Sequence, residues 1–371
     1  ANLPCDACDT CSGGPCISFG SWDNDVYCQI STDYGATFNN KVNATKNVDG
    51  VAGHRPYTDL SALWASDGDL HIVYNARVWP ADANQGGDAG SLRNRIFHLS
   101  VDPVTNLPGP ISTAHNSEFD QEYCTGGAFA LQSAKMTVSE CNNKLYVLFT
   151  QFNDPKIGMN DCASDLSSGY PGGAANGELY ITVSDNWGIT WDESRNITNT
   201  HSPGCSDDPD TLVGLPCESE NWSSMTRVGS NFAGSFPSDA ILDEVELGGQ
   251  AGEHQGYYLD AQFIGDLSAG GIVQGEGFWR RNHVRWFRIP CLEPIRSAQL
   301  YVSPSKIDYP SWSPPGVQLD TPLVVENGGN DSLNYSITVE EDIVSGWLDV
   351  NPTSGGIAPG VVNKDTLTIT I

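Results

Sequence analysis

The chain has 371 residues, enough for two domains, and its 39 Gly, 22 Pro, 10 Trp and 13 Tyr against only 3 Met suit many short strands joined by tight turns rather than helices. Forty-six Asp and Glu against 18 Lys and Arg give a formal charge of −28, which excludes nucleic acid and anionic membrane surfaces as partners. No run of 18 apolar residues exists, so membrane insertion is not expected either.

From the N-terminus, Ala1-Asn2-Leu3-Pro4 has no basic or apolar leader, so a signal peptide is expected to have been removed or to lie outside this sequence. Residues 1–16 form a Cys-rich segment. Cys5, Cys8, Cys11 and Cys16 stand at spacings compatible with a disulfide knot or with a zinc or iron–sulfur site. Seven further cysteines, Cys28, Cys124, Cys141, Cys162, Cys205, Cys217 and Cys291, are scattered singly, as disulfide partners would be. Eleven in all imply an oxidising compartment and a secreted or cell-surface protein, with one thiol left free or paired to another chain.

Two segments repeat a pattern, S-x-[DN]-x-G-x-T-[FW]. One holds Ser31, Asp33, Gly35, Thr37 and Phe38; the other holds Ser184, Asn186, Gly188, Thr190 and Trp191. Each follows an alternating apolar run, 26–30 and 178–183, as a strand ending in a hairpin does. The carboxylate or amide can bond the backbone of its own turn, the glycine can take a positive φ, and the aromatic can pack beneath. These segments resemble the Asp-box of the sialidase and BNR-repeat families. The resemblance implies a β-propeller of four-stranded antiparallel blades, the box joining a blade's third and fourth strands. A weaker copy starts at Ser100-Val101-Asp102.

Leu60–Trp64 with Leu70–Tyr74, and Ala134–Val138 with Lys144–Phe149, repeat as paired strands around a turn; Trp222–Val228 with Gly256–Phe263 is a third such pair, followed by a strand at His283–Ile289. About three units with a recognisable inner strand result, plus one at 17–45 without it. That is few for a closed propeller over 17–297, so strand sharing with a neighbour is an expectation. Long Gly-, Asp- and Ser-rich loops at 81–92, 154–177, 202–216 and 248–254 are the expected contact surfaces.

From about residue 298 the texture changes. Trp347-Leu348-Asp349-Val350-Asn351-Pro352-Thr353-Ser354-Gly355 precedes a closing strand at 367–371. This resembles the bacterial immunoglobulin-like modules of the BACON type and implies an Ig-like β-sandwich over 298–371 that acts as a spacer or carbohydrate-associated unit.

Candidate chemistry is sparse. Phe287-Arg288-Ile289-Pro290 resembles the sialidase motif that carries the first arginine of a carboxylate-binding triad; it falls at the end of the repeat region, where a last-blade strand explains it equally. Arg280, Arg281, Arg285 and Arg288 are a basic cluster in an acidic chain, suited to bidentate carboxylate recognition or to pairing with the chain's own acids. No triad and no Tyr–Glu pair is assignable by motif, so Arg288 is the one catalytic candidate. Asp23, Asp25, Asp207, Asp208 and Asp210 are candidate Ca²⁺ ligands, and no cofactor is required. Sequons occur at Asn43, Asn196, Asn221, Asn330 and Asn334. The expected function is a non-catalytic structural or adhesive protein, a self-assembling filament subunit or a binder of surface proteins and glycans. An exported sialidase-like hydrolase and a lectin-like module are the alternatives.

Overall fold

The computed structural model describes residues 24–47, 53–79, 94–118, 124, 131–154, 162–163, 174–205, 217–235, 253–269, 281–294, 300–303, 320–327, 329, 331–338, 349–359 and 364–370. Among them there is no helix, and every named strand pair is antiparallel. The first sheet pairs β1 (Tyr27–Cys28) with β2 (Val42–Asn43). The second is a meander of β3 (Gly53–Trp64), β4 (Leu70–Trp79) and β5 (Asn94–Asp102), closed by β6 (Leu107–Pro108) and β7 (Ser112–Asn116), which both lie along β5.

The third sheet runs in strict sequence order through β8 (Ser133–Cys141), β9 (Lys144–Gln151), β10 (Glu178–Ser184) and β11 (Arg195–Asn196). In the fourth, β12 (Ser219–Met225) and β13 (Ser230–Ser235) share one edge of β14 (Glu253–Asp266), and β15 (His283–Pro290) takes the other. Two small sheets follow. One orders β16 (Leu300–Ser303), β17 (Asp320–Asn327), β21 (Lys364–Thr370) and β19 (Asp349–Asn351); the other pairs β18 (Leu333–Ser336) with β20 (Ser354–Ile357). They share a core of Val325, Leu333, Tyr335, Val350, Ile357 and Leu367. Trp347 and Leu348 of the module motif lie outside the described residues.

Side-chain alternation along a strand sends neighbouring residues to opposite faces, and in the second and third sheets both faces are covered. In β9, Tyr146 and Leu148 join Leu259, Phe263, Phe287 and Ile289 of the fourth sheet, whereas Leu145, Val147 and Phe149 join Val73, Ile96 and Ala114 of the second. Ile72, Tyr74, Ala76 and Leu99 leave the second sheet on its other face to meet Val26, Ile30 and Ala44 beside the first. The four sheets are thus packed face to face in series. This is why Lys144–Gln151 is almost continuously apolar rather than alternating.

Polar stitches hold the series in register. The Glu140 carboxylate accepts the Ser66 N–H at 2.8 Å and the Ser66 hydroxyl, while the Glu140 backbone bonds Arg227 O and Gly229 N at 2.9 and 2.7 Å, so one residue of the third sheet reaches both neighbours. The Cys141–Cys291 disulfide crosses the same seam, and Gly229 must be glycine, because a Cβ there would lie 2.1 Å from Cys141 Sγ.

Because Leu145 and Leu148 are both fully buried yet face different sheets, Leu145→Ala and Leu148→Ala are each expected to lower stability by about 2–5 kcal/mol. Urea unfolding of the two variants checks this. A sheet with one solvated face would leave one of them near neutral.

Candidate functional site

The two repeated boxes join the same positions, with the direction of one side-chain bond reversed. Ser31 Oγ accepts Gly35 N–H at 2.7 Å, Asp33 Oδ1 accepts Thr37 N–H at 2.8 Å, and Thr37 Oγ1 donates to Asp33 Oδ2 at 2.6 Å. In the second, Ser184 Oγ accepts Gly188 N–H at 2.8 Å, Asn186 Oδ1 accepts Thr190 N–H at 2.9 Å, and Asn186 Nδ2 donates to Thr190 Oγ1 at 2.8 Å. Both central turn residues have positive φ, 59° and 89° at Tyr34 and Gly35 and 59° and 83° at Trp187 and Gly188, and Ala36 and Ile189 donate back to the carbonyls of Asp33 and Asn186. These are type I′ turns, whose twist matches that of the flanking strands. Those donors hold the exposed Asp33 carboxyl down at about 2, with Thr37 as the main cause. The third copy differs: Asp102 Oδ1 accepts Val104 N–H at 2.7 Å, and Asn106 rather than glycine takes the positive φ.

The box aromatics part company. Trp191 is 1% exposed and packed between the second and third sheets, as expected of a residue beneath its hairpin, but Phe38 is 60% exposed. The second box docks on a neighbouring sheet: Gly188 lies against His98, where a Cβ would come within 2.1 Å of the imidazole, and Ser112 Oγ donates to Gly188 O at 2.5 Å while accepting Trp191 Nε1–H at 3.2 Å. At Gly35 a Cβ would meet nothing within 4 Å.

Arg288 is bound in the protein itself. Its Nε and Nη2 meet the two oxygens of Asp260 across the β14–β15 pair at 2.5 and 3.1 Å, and its guanidinium lies 5.3 Å from the Trp286 ring centre. Arg281 and Arg285 are exposed on or beside β15, and Arg280 lies outside the described residues. Asp25 accepts Thr45 Oγ1–H at 2.6 Å, Asn47 N–H at 3.0 Å and Asn43 Nδ2–H at 2.7 Å. Burial would raise its carboxyl, yet these donors outweigh it and hold the group low, a staple across β1 and β2 rather than a set of open ligands. Asp23, Asp207, Asp208 and Asp210 lie outside the described residues, within which no group of three or more His, Cys, Asp or Glu is disposed to hold a metal.

Six of the scattered cysteines pair as Cys124–Cys162, Cys141–Cys291 and Cys205–Cys217, the bonding expected in an oxidising environment. Cys28 forms no disulfide among the described residues, where burial pushes its thiol up; Cys5, Cys8, Cys11 and Cys16 lie outside them. Of the sequons, Asn334 is exposed on β18. Asn43 Nδ2 is engaged by Asp25, Asn196 Oδ1 accepts Thr198 and Asn199 N–H, and Asn221 Oδ1 accepts Trp222 N–H. Asn330 is not among the described residues.

Three buried ionisable clusters carry no motif. His54 Nε2 and Arg95 Nη2 both meet Glu118, at 2.5 and 2.8 Å; burial would raise Glu118, but His54 and Arg95 bring it to about 2. Asp67, His71, His98 and Ser112 form a chain at 3.0, 2.9 and 3.3 Å. Burial, with His71 second, depresses His98 to about 3. Glu178 and Glu220 meet at Thr200 where the third and fourth sheets adjoin. Each cluster assembles residues from different hairpins, which spacing does not display. The one available signal was an acid opening an otherwise apolar strand, as Glu178 does in β10.

No family model matches the chain, and no curated protein matches it. Among solved structures it is similar to Zg3597, a family 117 glycoside hydrolase produced by the marine bacterium Zobellia galactanivorans, at 11% identity over 94% of this chain and 90% of that one, with a TM-score of 0.25.

Gly35→Ala is expected to cost about 1–2 kcal/mol through its positive φ alone, and Gly188→Ala distinctly more because the added methyl strikes His98; paired denaturation curves check the order. The folded-state values of His98 and His54 are depressed below 6.5, both first by burial, so the unfolded chain binds protons that the native one refuses. Stability is therefore present above pH 6.5 and lost as pH falls below it. Unfolding constants measured from pH 7 to 5 should rise, and less steeply in His98→Gln.

Proposed function

We propose that this chain is a non-catalytic extracellular structural or adhesive protein, in which the four serial sheets are blades of a sialidase-like β-propeller followed by an Ig-like module, and that copies associate through the outer face of the fourth sheet. The Asp-box wiring at Asp33 and Asn186 supports the propeller reading, since the second box joins β10 to β11, third and fourth in a four-stranded meander. The two small sheets sharing one core support the Ig-like reading.

One observation carries the functional part. The second and third sheets bury both faces; among the described residues of the fourth, Met225, Leu259, Ala261, Phe263, Phe287 and Ile289 are buried on the inner side, and on the outer side Tyr258 is buried at one end. Its outer side presents the rows Asn221–Ile264–Val284 and Ser224–Gln262–Trp286, with Val284 71% and Trp286 48% exposed. A second copy fits this face for two reasons. The mode of contact continues the face-to-face packing used three times within the chain, and Arg288, paired with Asp260, places a cation on this face of a molecule of charge −28, which lessens like-charge repulsion there. The occupied guanidinium of Arg288 weighs against its use on a substrate carboxylate.

Sedimentation velocity over a wide concentration range is expected to show wild-type chain growing in mass while Val284→Asp stays monomeric. A wild-type chain that is monomeric throughout overturns the assembly reading. Glycan-array binding lost in Trp286→Ala, without association, would put the lectin-like alternative in its place.

A further inference from the structure

Glu178 opens β10 and Glu220 lies in β12, and both are 1% exposed. The backbone brings them together tightly. Glu220 N–H donates to Gly177 O at 2.6 Å, Gly177 N–H donates to Ser219 Oγ at 2.8 Å, and a Cβ at Gly177 would lie 2.7 Å from Glu220 O, so only glycine permits the approach. The Cys205–Cys217 disulfide and the Glu218 N–H to Ser202 Oγ bond at 3.0 Å tie the segment carrying Thr200 to the start of β12.

Thr200 Oγ1 stands between the two acids, 3.2 Å from Glu178 Oε1 and 2.7 and 2.8 Å from Glu220 Oε1 and Oε2. A hydroxyl has one hydrogen, and ionised carboxylates supply none. With both acids ionised, lone pairs would face lone pairs around Thr200. With one proton on Glu220, its O–H donates to Thr200 Oγ1, and Thr200 O–H donates on to Glu178. Glu178 is the ionised partner, because its Oε2 already accepts Thr200 N–H at 2.9 Å and Thr198 Oγ1–H at 3.0 Å. Among the described residues neither carboxyl has a Lys or Arg partner. The other ionisable groups acting here are His201 on Glu178 and Glu218 on Glu220, with the Tyr180–Asp154 pair beyond.

We infer that Glu178 and Glu220 share a single proton through Thr200, forming a clasp across the seam between the third and fourth sheets that is shut while the proton is held and opens when it leaves. Burial, and then the charge of Glu178, raise Glu220 from 4.5 to about 8. The native state therefore keeps a proton that the unfolded chain has lost. The stabilisation is complete below 4.5, declines from there and is gone above about 8, the opposite direction to His98.

Carboxyl-¹³C NMR of the wild-type protein is expected to show one glutamate titrating near pH 8, absent from Glu220→Gln. The wild-type unfolding constant should carry a component rising roughly tenfold per pH unit between pH 5.5 and 8, and Glu220→Gln, which imitates the protonated acid, should remove it. Glu178→Gln should weaken the protein at every pH, because an amide cannot accept from all its donors. Amide exchange at Thr200 should accelerate beyond the base-catalysed rate above pH 8 in wild type only. Two ordinary glutamate titrations near 4.5, or equal slopes in wild type and Glu220→Gln, overturn the inference; if Glu220→Gln does not fold, the wild-type titration alone decides.

Discussion

The structure rests on the burial of both faces of its second and third sheets. Once Leu145 and Leu148 must each meet a different neighbour, the central strands have no face left for water, and a polar group there is costly unless it finds a partner. Glu140, His98, Glu178 and Glu220 are consequences of that constraint: each is a polar group caught in a seam, Glu140 and Glu220 met from across it by Ser66 and Thr200, His98 and Glu178 by His71, Ser112, Thr198 and Thr200 on their own side. The glycines at 177, 188 and 229 belong to the same account, because sheets packed this closely bring backbone against side chain where no Cβ fits.

Local features were legible in the sequence and seam features were not. The I′ turns at Asp33 and Asn186 are closed by atoms within five residues, so their pattern appears in the text of the chain. Strand pairs such as Leu60–Trp64 with Leu70–Tyr74 were readable because a short turn fixes their register. The partners of Glu178, His98 and Cys141 lie 42, 27 and 150 residues away along the chain, and nothing in the intervening sequence encodes that distance. The contrast between Trp191 and Phe38 makes the same point. Both occupy the last position of one motif, and their burial differs because the second sheet stands over one hairpin and no described residue covers the other. Arg288 sits in an arginine motif that reads as recognition chemistry, yet the register places Asp260 directly opposite it.

The third sheet stands between two seams of opposite character. Towards the second sheet, His98 is kept neutral by burial and resents acid; towards the fourth, Glu220 is kept neutral by burial and resents alkali. Neutralisation of one buried base and one buried acid leaves a sheet best held between about pH 4.5 and 6.5, where what one seam gains with rising pH the other loses, and less well held at neutral pH and above.

The Cys141–Cys291 bond has a consequence for how the molecule is made. At roughly 5–20 residues per second of synthesis, the thiol of Cys141 waits on the order of ten to thirty seconds for a partner 150 positions downstream, whereas Cys205 waits for Cys217 across only 12. Nascent chain passing into an oxidising compartment thus offers an early cysteine to whichever thiol arrives first, with Cys162 ahead of Cys291 in the queue. A disulfide isomerase, or oxidation delayed until Cys291 has emerged, would favour the native pairing over the early one.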